Sequence, residues 1–306
     1  MAPTHASIMW MDGSLLPWSE GTTHVMSHVL HYGSGVFEGI KCYHTPDGPA
    51  IFRLEDHMQR MADSADSYGM QVPYTVDELV NASVEVVKAN KLESGYIRPI
   101  VFYGYDSLGV HPNNCPIRVA IACFDWGAYL GDEGITKGVR ITVSPWKKFH
   151  WSSFPTTAKG SGQYLNSLLA VIEARKRGFD EALLLNSEGN IAEGSGQNLF
   201  IVKDGRLYTN NKEASILMGI TRDTIIKLSE DLDIPLEITD LIPDQLLTAD
   251  EAFFTGTATE VTPIRELDGH TIGDGKPGEI TLWLRAVYLD IVQGKRPEYQ
   301  HWLTYV

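Results

Sequence analysis

The chain has 306 residues, 43% of them apolar and 21% charged, which is ordinary globular usage and argues against a chain that is mainly disordered. At that length folding buries roughly three quarters of the unfolded surface, enough for one large domain or two of ordinary size. The formal net charge of −14 argues against nucleic acid or an anionic membrane as main partner, so any anionic ligand must be captured by a local pocket.

Taken in chain order, the first half alternates strands and helices. Residues 8–11 read as a strand leading into the turn Asp12-Gly13, and 36–43 and 50–53 as strands flanking a turn at Asp47-Gly48. From 54 to 68 the apolar positions Met58, Met61, Ala62 and Ala65 recur at helical spacing. Thr75-Val76-Asp77-Glu78 has capping-box form ahead of the stripe Leu79, Val80, Val84 and Val87. Residues 96–105 and 117–124 are apolar and aromatic runs of strand length. The stretch 125–138, with four glycines and little periodicity, reads as a connection between domains.

Beyond it, 139–144, 181–185 and 191–192 read as strands, with a helix over 163–177 between the first two. Residues 199–202 and 206–208 bracket the hairpin signal Asp204-Gly205. A helix is expected over 221–232, strands over 251–254 and 261–265, and a last helix over 281–292 before a short aromatic tail. The prediction is an α/β chain (α+β-like) with an N-terminal α/β domain over 1–125, a linker over 126–138 and a C-terminal α/β domain over 139–306. Its element order is not the strict alternation of a doubly wound sheet. Cys42, Cys115 and Cys123 form no CxxC pair and suit a reducing compartment. With no basic-then-apolar leader and no apolar stretch of membrane-spanning length, a cytoplasmic protein without membrane or nucleic-acid partners is expected.

Three Gly-Ser-Gly triplets, at 33–35, 160–162 and 194–196, mark places where backbone can approach a ligand closely. None has the spacing of a dinucleotide fingerprint, a P-loop or a nucleophile elbow. Before the second stands Pro155-Thr156-Thr157-Ala158-Lys159, a lysine with no ion-pair partner nearby in sequence. Burial would depress its pKa toward the neutral amine that Schiff-base chemistry needs. Tyr164 follows at a helix start. Before the third triplet Glu193 ends an apolar strand, where a protonated ring nitrogen would give it a partner. Gly219-Ile220-Thr221 opens a helix whose N–H groups favour a phosphate, Gly256-Thr257-Ala258 is a turn with amides to offer, and Arg60 could add a fixed positive charge. Read singly, each has a plainer account: a loop lysine, a surface glutamate, an N-cap, a turn, a solvated arginine. His24, His28 and His31 lack the partners of a metal site, so no metal is expected.

Together the pieces resemble one family. MSHVLHYGSGVFEGIKCY, HMQR ending at Arg60, GYIRP, WGAYLG, PTTAK ending at Lys159, AEGSGQNLF, GITRD and TGTATEVTPI are similar to the blocks of the branched-chain aminotransferases, of fold type IV of the pyridoxal-phosphate enzymes. The resemblance implies two α/β domains with pyridoxal 5'-phosphate in the crevice between them, bound mainly by the C-terminal one. It implies that Lys159 holds the cofactor, Glu193 meets its ring nitrogen and Tyr164 its phenolic oxygen. Arg60, Gly196, Leu217, Gly219, Ile220, Thr221, Gly256 and Thr257 are implied to complete the cofactor site. Tyr96, Thr257 and Ala258 are implied for the substrate α-carboxylate, Phe37, Trp126, Tyr129 and Tyr164 for the side-chain pocket, and Arg98 for the side-chain carboxylate of glutamate. Tyr32 and Val110 are implied to come from the partner subunit of a homodimer or higher homo-oligomer. The implied reaction is reversible ping-pong transfer of the amino group of leucine, isoleucine or valine to 2-oxoglutarate.

Two positions depart from the family pattern, which usually has Glu where this chain has Gln197 and Pro where it has Asp125. The nearest alternatives are a D-amino acid aminotransferase, an R-selective amine transaminase and an aminodeoxychorismate lyase; GVFEGI and GYIRP favour the branched-chain enzyme.

Overall fold

The computed structural model describes residues 6–126, 134 and 136–306. The chain divides into two compact units, one of residues 1–127, 158–163 and 290–306, the other of 128–157 and 164–289.

The first unit contains β1 (Ile8–Met11), β2 (Ser14–Pro17), α1 (His28–Tyr32), β3 (Gly35–Phe37), β4 (Ile40–Thr45), β5 (Gly48–Phe52), α2 (Leu54–Ser67), α3 (Val76–Asn90), β6 (Gly95–Tyr103) and β7 (Ile117–Phe124). Its sheet runs in the order Leu303–Tyr305, β5, β4, β6, β7, β1, β2, with β3 also paired to β6. The apolar stripe of α2 (Leu54, Met58, Met61, Ala65) and that of α3 (Leu79, Ala82, Val86, Val87) share one core with Ile51, Ile97, Val101 and Ile121 of the strands. Each fully buried aliphatic side chain there contributes about 1.5–3 kcal/mol. The capping box of α3 forms as expected: Thr75 Oγ1 accepts from the Glu78 N–H, and the Thr75 N–H donates to Glu78 Oε2 at 2.7 Å.

One expected strand, 36–43, is two. β3 leaves the ladder with Phe37 opposite Ile100 and β4 resumes with Ile40 opposite Ile97, so Glu38 and Gly39 form a break. A Cβ on Gly39 would lie 1.8 Å from Tyr96 Oη, so only glycine lets the tyrosine pass there.

The second unit contains β8 (Val139–Val143), α4 (Tyr164–Lys176), β9 (Glu181–Leu185), β10 (Ile191–Gly194), β11 (Asn198–Lys203), β12 (Arg206–Thr209), α5 (Ile220–Asp231), β13 (Leu236–Ile238), α6 (Pro243–Leu247), β14 (Glu251–Gly256), β15 (Glu260–Leu267), β16 (His270–Thr271) and most of α7 (Glu279–Val292). Its sheet order is β10, β9, β8, β15, β14, β11, β12, β13, with β16 on β15. β8 pairs in parallel with β9 and β15 while β9–β10, β11–β14 and β14–β15 are antiparallel, so the sheet is mixed, in line with an α/β chain that does not alternate strictly.

Two late stretches belong to the first unit. Residues 158–163 are tied there by the bridge between Val36 and Gly160 and by the Gly162 N–H, which donates to the Gly33 carbonyl at 3.1 Å. The tail joins because Leu303–Tyr305 pairs antiparallel with β5. Among the described residues no helix is long and apolar enough to cross a membrane.

Candidate active site

In the first unit the backbone of Lys159 is held from both sides. Its N–H donates to Ser64 Oγ at 3.0 Å, and its carbonyl accepts from the Phe37 N–H at 3.1 Å. The side chain then runs over the Phe37 ring, with Nζ 5.1 Å from the ring centroid. Burial is the main reason its pKa falls from 10.5 to about 8; Glu38 pulls it up, and Arg60 and Arg98 push it down. A lysine so placed offers far more free amine at neutral pH than an ordinary one, as nucleophilic chemistry requires.

Glu38, in the break between β3 and β4, is fully buried and has two cationic or proton-donating neighbours. Arg60 Nε and Nη2 reach its two oxygens at 2.6 and 2.8 Å, and His57 Nδ1 lies 2.8 Å from Oε2. Burial opposes ionisation of Glu38, yet Arg60 and His57 outweigh it and hold the carboxyl well below the usual range. A carboxylate only accepts, so Nδ1 of His57 carries the proton. Burial lowers the pKa of His57 against the pull of Glu38, so a neutral imidazole suits this place.

Arg98 stacks on the same Phe37 ring (4.9 Å) and on Tyr96 (5.2 Å), and donates to Tyr96 Oη at 3.3 Å. Its Nε is buried without a hydrogen-bond partner among the described residues. Trp126 meets Tyr96 edge-on at 4.5 Å. Phe37, Arg60, Tyr96, Arg98, Trp126 and Lys159 are thus one cluster.

In the second unit Glu193, at the end of β10, is nearly buried and already engaged. Lys148 Nζ binds Oε1, while Oε2 accepts from Asn198 Nδ2 (3.1 Å) and from the Leu217 N–H (3.0 Å). Asn198 also donates to the Leu217 carbonyl, and its Oδ1 lies 2.0 Å from where a Cβ on Gly219 would stand. A side chain at 219 would therefore have to displace the Asn198 amide that braces Glu193. Gly219 is also an N-cap without a side-chain bond, ahead of Ile220 and Thr221 in the first turn of α5. The hairpin turn between β14 and β15, with Thr257 and Ala258 half-buried, lies beside the third triplet: a Cβ on Gly256 would be 3.4 Å from the Gly196 carbonyl. A Cβ on Gly196 would meet nothing within 4 Å.

Gln197 donates to Glu181 Oε2 at 3.0 Å and accepts from the Gly196 N–H at 3.0 Å. Burial raises the pKa of Glu181, against hydrogen bonds from Ala182, Gln197 and Ser195. A glutamate at 197 would set two buried carboxyls against each other; the amide removes that repulsion. Asp125 is exposed, and nothing in the structure explains its replacement of proline.

Tyr164 opens α4 in the second unit. Tyr32 and Val110 are 46% and 81% exposed, and Tyr32 Oη donates to the Leu108 carbonyl. Tyr129 lies outside the described residues. Among the described residues no set of His, Cys, Asp and Glu could hold a metal; the two ring nitrogens of His28 meet Ser34 Oγ and the Gly109 carbonyl instead. Sequence reasoning missed Glu38, His57, Lys148 and Asn198. The available signal was a charge inside the apolar run VFEGI and a histidine three residues before Arg60 on the same helix face.

The model of the family described as amino-transferase class IV matches residues 35–267. A branched-chain-amino-acid aminotransferase of Pseudomonas aeruginosa is 47% identical over 299 residues, covering 98% of this chain and 97% of its own. A crystal structure of the T.th. branched-chain amino acid aminotransferase complexed with N-(5'-phosphopyridoxyl)-L-glutamate superposes with TM-score 0.94 at 48% identity, covering 98% of each chain. The same enzyme complexed with 4-methylvaleric acid gives TM-score 0.94 at 46% identity, again over 98% of each.

Proposed function

The chain belongs to amino-transferase class IV, and on that footing we propose that it moves the amino group of leucine, isoleucine or valine reversibly to 2-oxoglutarate, with pyridoxal 5'-phosphate as cofactor. The observation that carries this is Lys159, whose amine is desolvated, pKa about 8, and whose backbone is fixed at both its N–H and its carbonyl. The relatives named above are branched-chain enzymes over nearly their full length, which supports the substrate class.

The residues fit the cofactor. A glycine N-cap opening α5, an open face at Gly196 and a carboxylate at Glu193 form a donor and acceptor set suited to a phosphate and a ring nitrogen. When bound, pyridoxal 5'-phosphate supplies the electron sink for the charge left at the substrate Cα. In this reading Lys159 Nζ would hold the cofactor and, once released by the substrate amine, would act as the base that takes the proton from the substrate Cα. Arg60, Gly219, Ile220, Thr221, Gly256 and Thr257 would hold the phosphate, and Leu217 and Gly196 would complete the cofactor site. Glu193, braced by Lys148 and Asn198, would keep the ring nitrogen protonated, and Tyr164 would meet the phenolic oxygen.

Tyr96, Thr257 and Ala258 orient the α-carboxylate, while Phe37, Trp126, Tyr129 and Tyr164 shape the side-chain pocket. Arg98 answers the second carboxylate of glutamate. Replacing Arg98 by alanine is expected to cut kcat/KM for glutamate and 2-oxoglutarate roughly a hundredfold, and for leucine less than about tenfold, because only the dicarboxylate loses a charge-assisted bond. Steady-state kinetics with both donors check this; equal losses would remove Arg98 from the role.

Assembly as a homodimer is part of the proposal. Tyr32 and Val110 are exposed, and Leu165, Leu168, Leu169 and Ile172 form an exposed stripe at helical spacing on α4. A cytoplasmic site is supported by three free, buried cysteines.

The test is the visible spectrum of the purified protein before and after L-leucine, then 2-oxoglutarate. A cofactor band that shifts with leucine and returns with the oxo acid is expected. A band that ignores leucine but answers D-alanine or an R-amine would move the reaction to a sibling, and no band after adding pyridoxal 5'-phosphate would end the proposal.

A further inference from the structure

Helix α2 and the residue that ends it present His57, Arg60, Ser64 and Tyr68 at steps of three, four and four, so they share one face. The first two grip Glu38. The other two grip the segment that carries Lys159. Ser64 Oγ accepts from the Lys159 N–H at 3.0 Å, and Tyr68 Oη accepts from Gln163 Nε2 at 2.7 Å. A Cβ on Gly160 would stand 2.3 Å from Tyr68 Oη, so the tyrosine lies directly against the backbone next to Lys159.

Ser64 is used differently from its neighbours in kind. Ser67 and Ser83 bond the carbonyl four residues back, the ordinary habit of a helical serine. Ser64 instead receives a donor 95 positions away, and it is only 1% exposed. Replacing it would take away the side-chain acceptor that the Lys159 N–H uses.

We propose that Ser64 and Tyr68 are positioning residues for Lys159, and that one face of α2 works as a ruler between the amine and Arg60. Four residues of helix separate Arg60 from Ser64 by about 6 Å along the axis. That spacing is rigid where a loop would drift. The idea rests on the reading of Lys159 as the group that holds the cofactor and of Arg60 as a phosphate ligand.

The experiment uses Ser64→Ala and Tyr68→Phe in the full chain. Alanine is the better helix former, so Ser64→Ala is expected to fold. In the cofactor-loaded enzyme kcat should fall roughly three- to tenfold with KM for leucine within about twofold, the effect of one lost hydrogen bond on alignment. In the cofactor-free enzyme the pH midpoint for acetylation of Lys159 by acetic anhydride, read by mass spectrometry, should rise from about 8 toward the ordinary lysine value as the amine loses its fixed, desolvated place. Tyr68→Phe should move both readouts the same way by less. If both variants fold and leave kcat and the midpoint unchanged, the ruler is wrong. If Lys159→Ala itself retains turnover, the functional reading is what has failed.

Discussion

Lys159→Ala is expected to lower transamination by about 10⁴-fold or more, because it removes the covalent holder of the cofactor and the group that moves the Cα proton together. The loss should not be a folding defect. The two backbone bonds of Lys159, to Ser64 and from Phe37, do not involve its side chain and survive the substitution. Stability gives an independent check through the sign of the pKa shift. The folded amine titrates near 8 and an ordinary one near 10.5, so between those values the unfolded chain binds more protons. The stability of the cofactor-free enzyme should therefore rise as pH goes from about 8 to about 10.5, and below 8 the buried ammonium is a full penalty. Lys159→Ala should lack that rise and be at least as stable as the parent at pH 7. Thermal unfolding at pH 7 and pH 10, beside a single-turnover assay with leucine, measures both. Near-normal turnover in the variant would sink the assignment of Lys159.

Glu38→Ala should cost about 3–5 kcal/mol, the toll of leaving a buried charge without its partner. The carboxylate side chain is 0% exposed, that of Arg60 14% and that of His57 2%, so water is poorly placed to compensate. Glu38→Gln keeps the shape and one acceptor and should lose about half as much. Because the folded carboxyl sits below its usual range, its contribution is complete above about pH 4.5 and disappears as pH falls through the lowered value. Urea unfolding of parent and variants at pH 7 and pH 3 reads these differences. Titration with pyridoxal 5'-phosphate should show weaker binding in both variants, since Arg60 loses what aims it. A change under about 1 kcal/mol at pH 7 would mean that Arg60 and His57 find other partners.

The elements legible in the sequence are those long enough to show a period. The stripes of α2 and α3, the capping box at Thr75 and the hairpin signals Asp12-Gly13, Asp47-Gly48 and Asp204-Gly205 all lie where local chemistry decides conformation. β2, β13, α1 and α6 span three to five residues each, too few for periodicity to register. The break at Glu38 was hidden for a different reason: VFEGI reads as a run of strand, and only the position of Tyr96, far along the chain, forces glycine next to it. For the site, motif resemblance pointed to Lys159 and Glu193. The partners Lys148 and Asn198 depend on which strands lie side by side, and no spacing in the sequence carries that. The same holds for the membership of 158–163 and of the tail in the first unit.

That last feature bears on synthesis. A ribosome delivers β5 early and its neighbour Leu303–Tyr305 about 250 residues later. Throughout that interval the edge at Ala50, Ile51 and Phe52 is an unpaired template in a nascent chain, open to any strand that comes by. Messages cut short before codon 303 should thus yield protein that accumulates in inclusion bodies even though every residue assigned to chemistry has been made, and holdase chaperones should be found on this chain until its final strand has emerged.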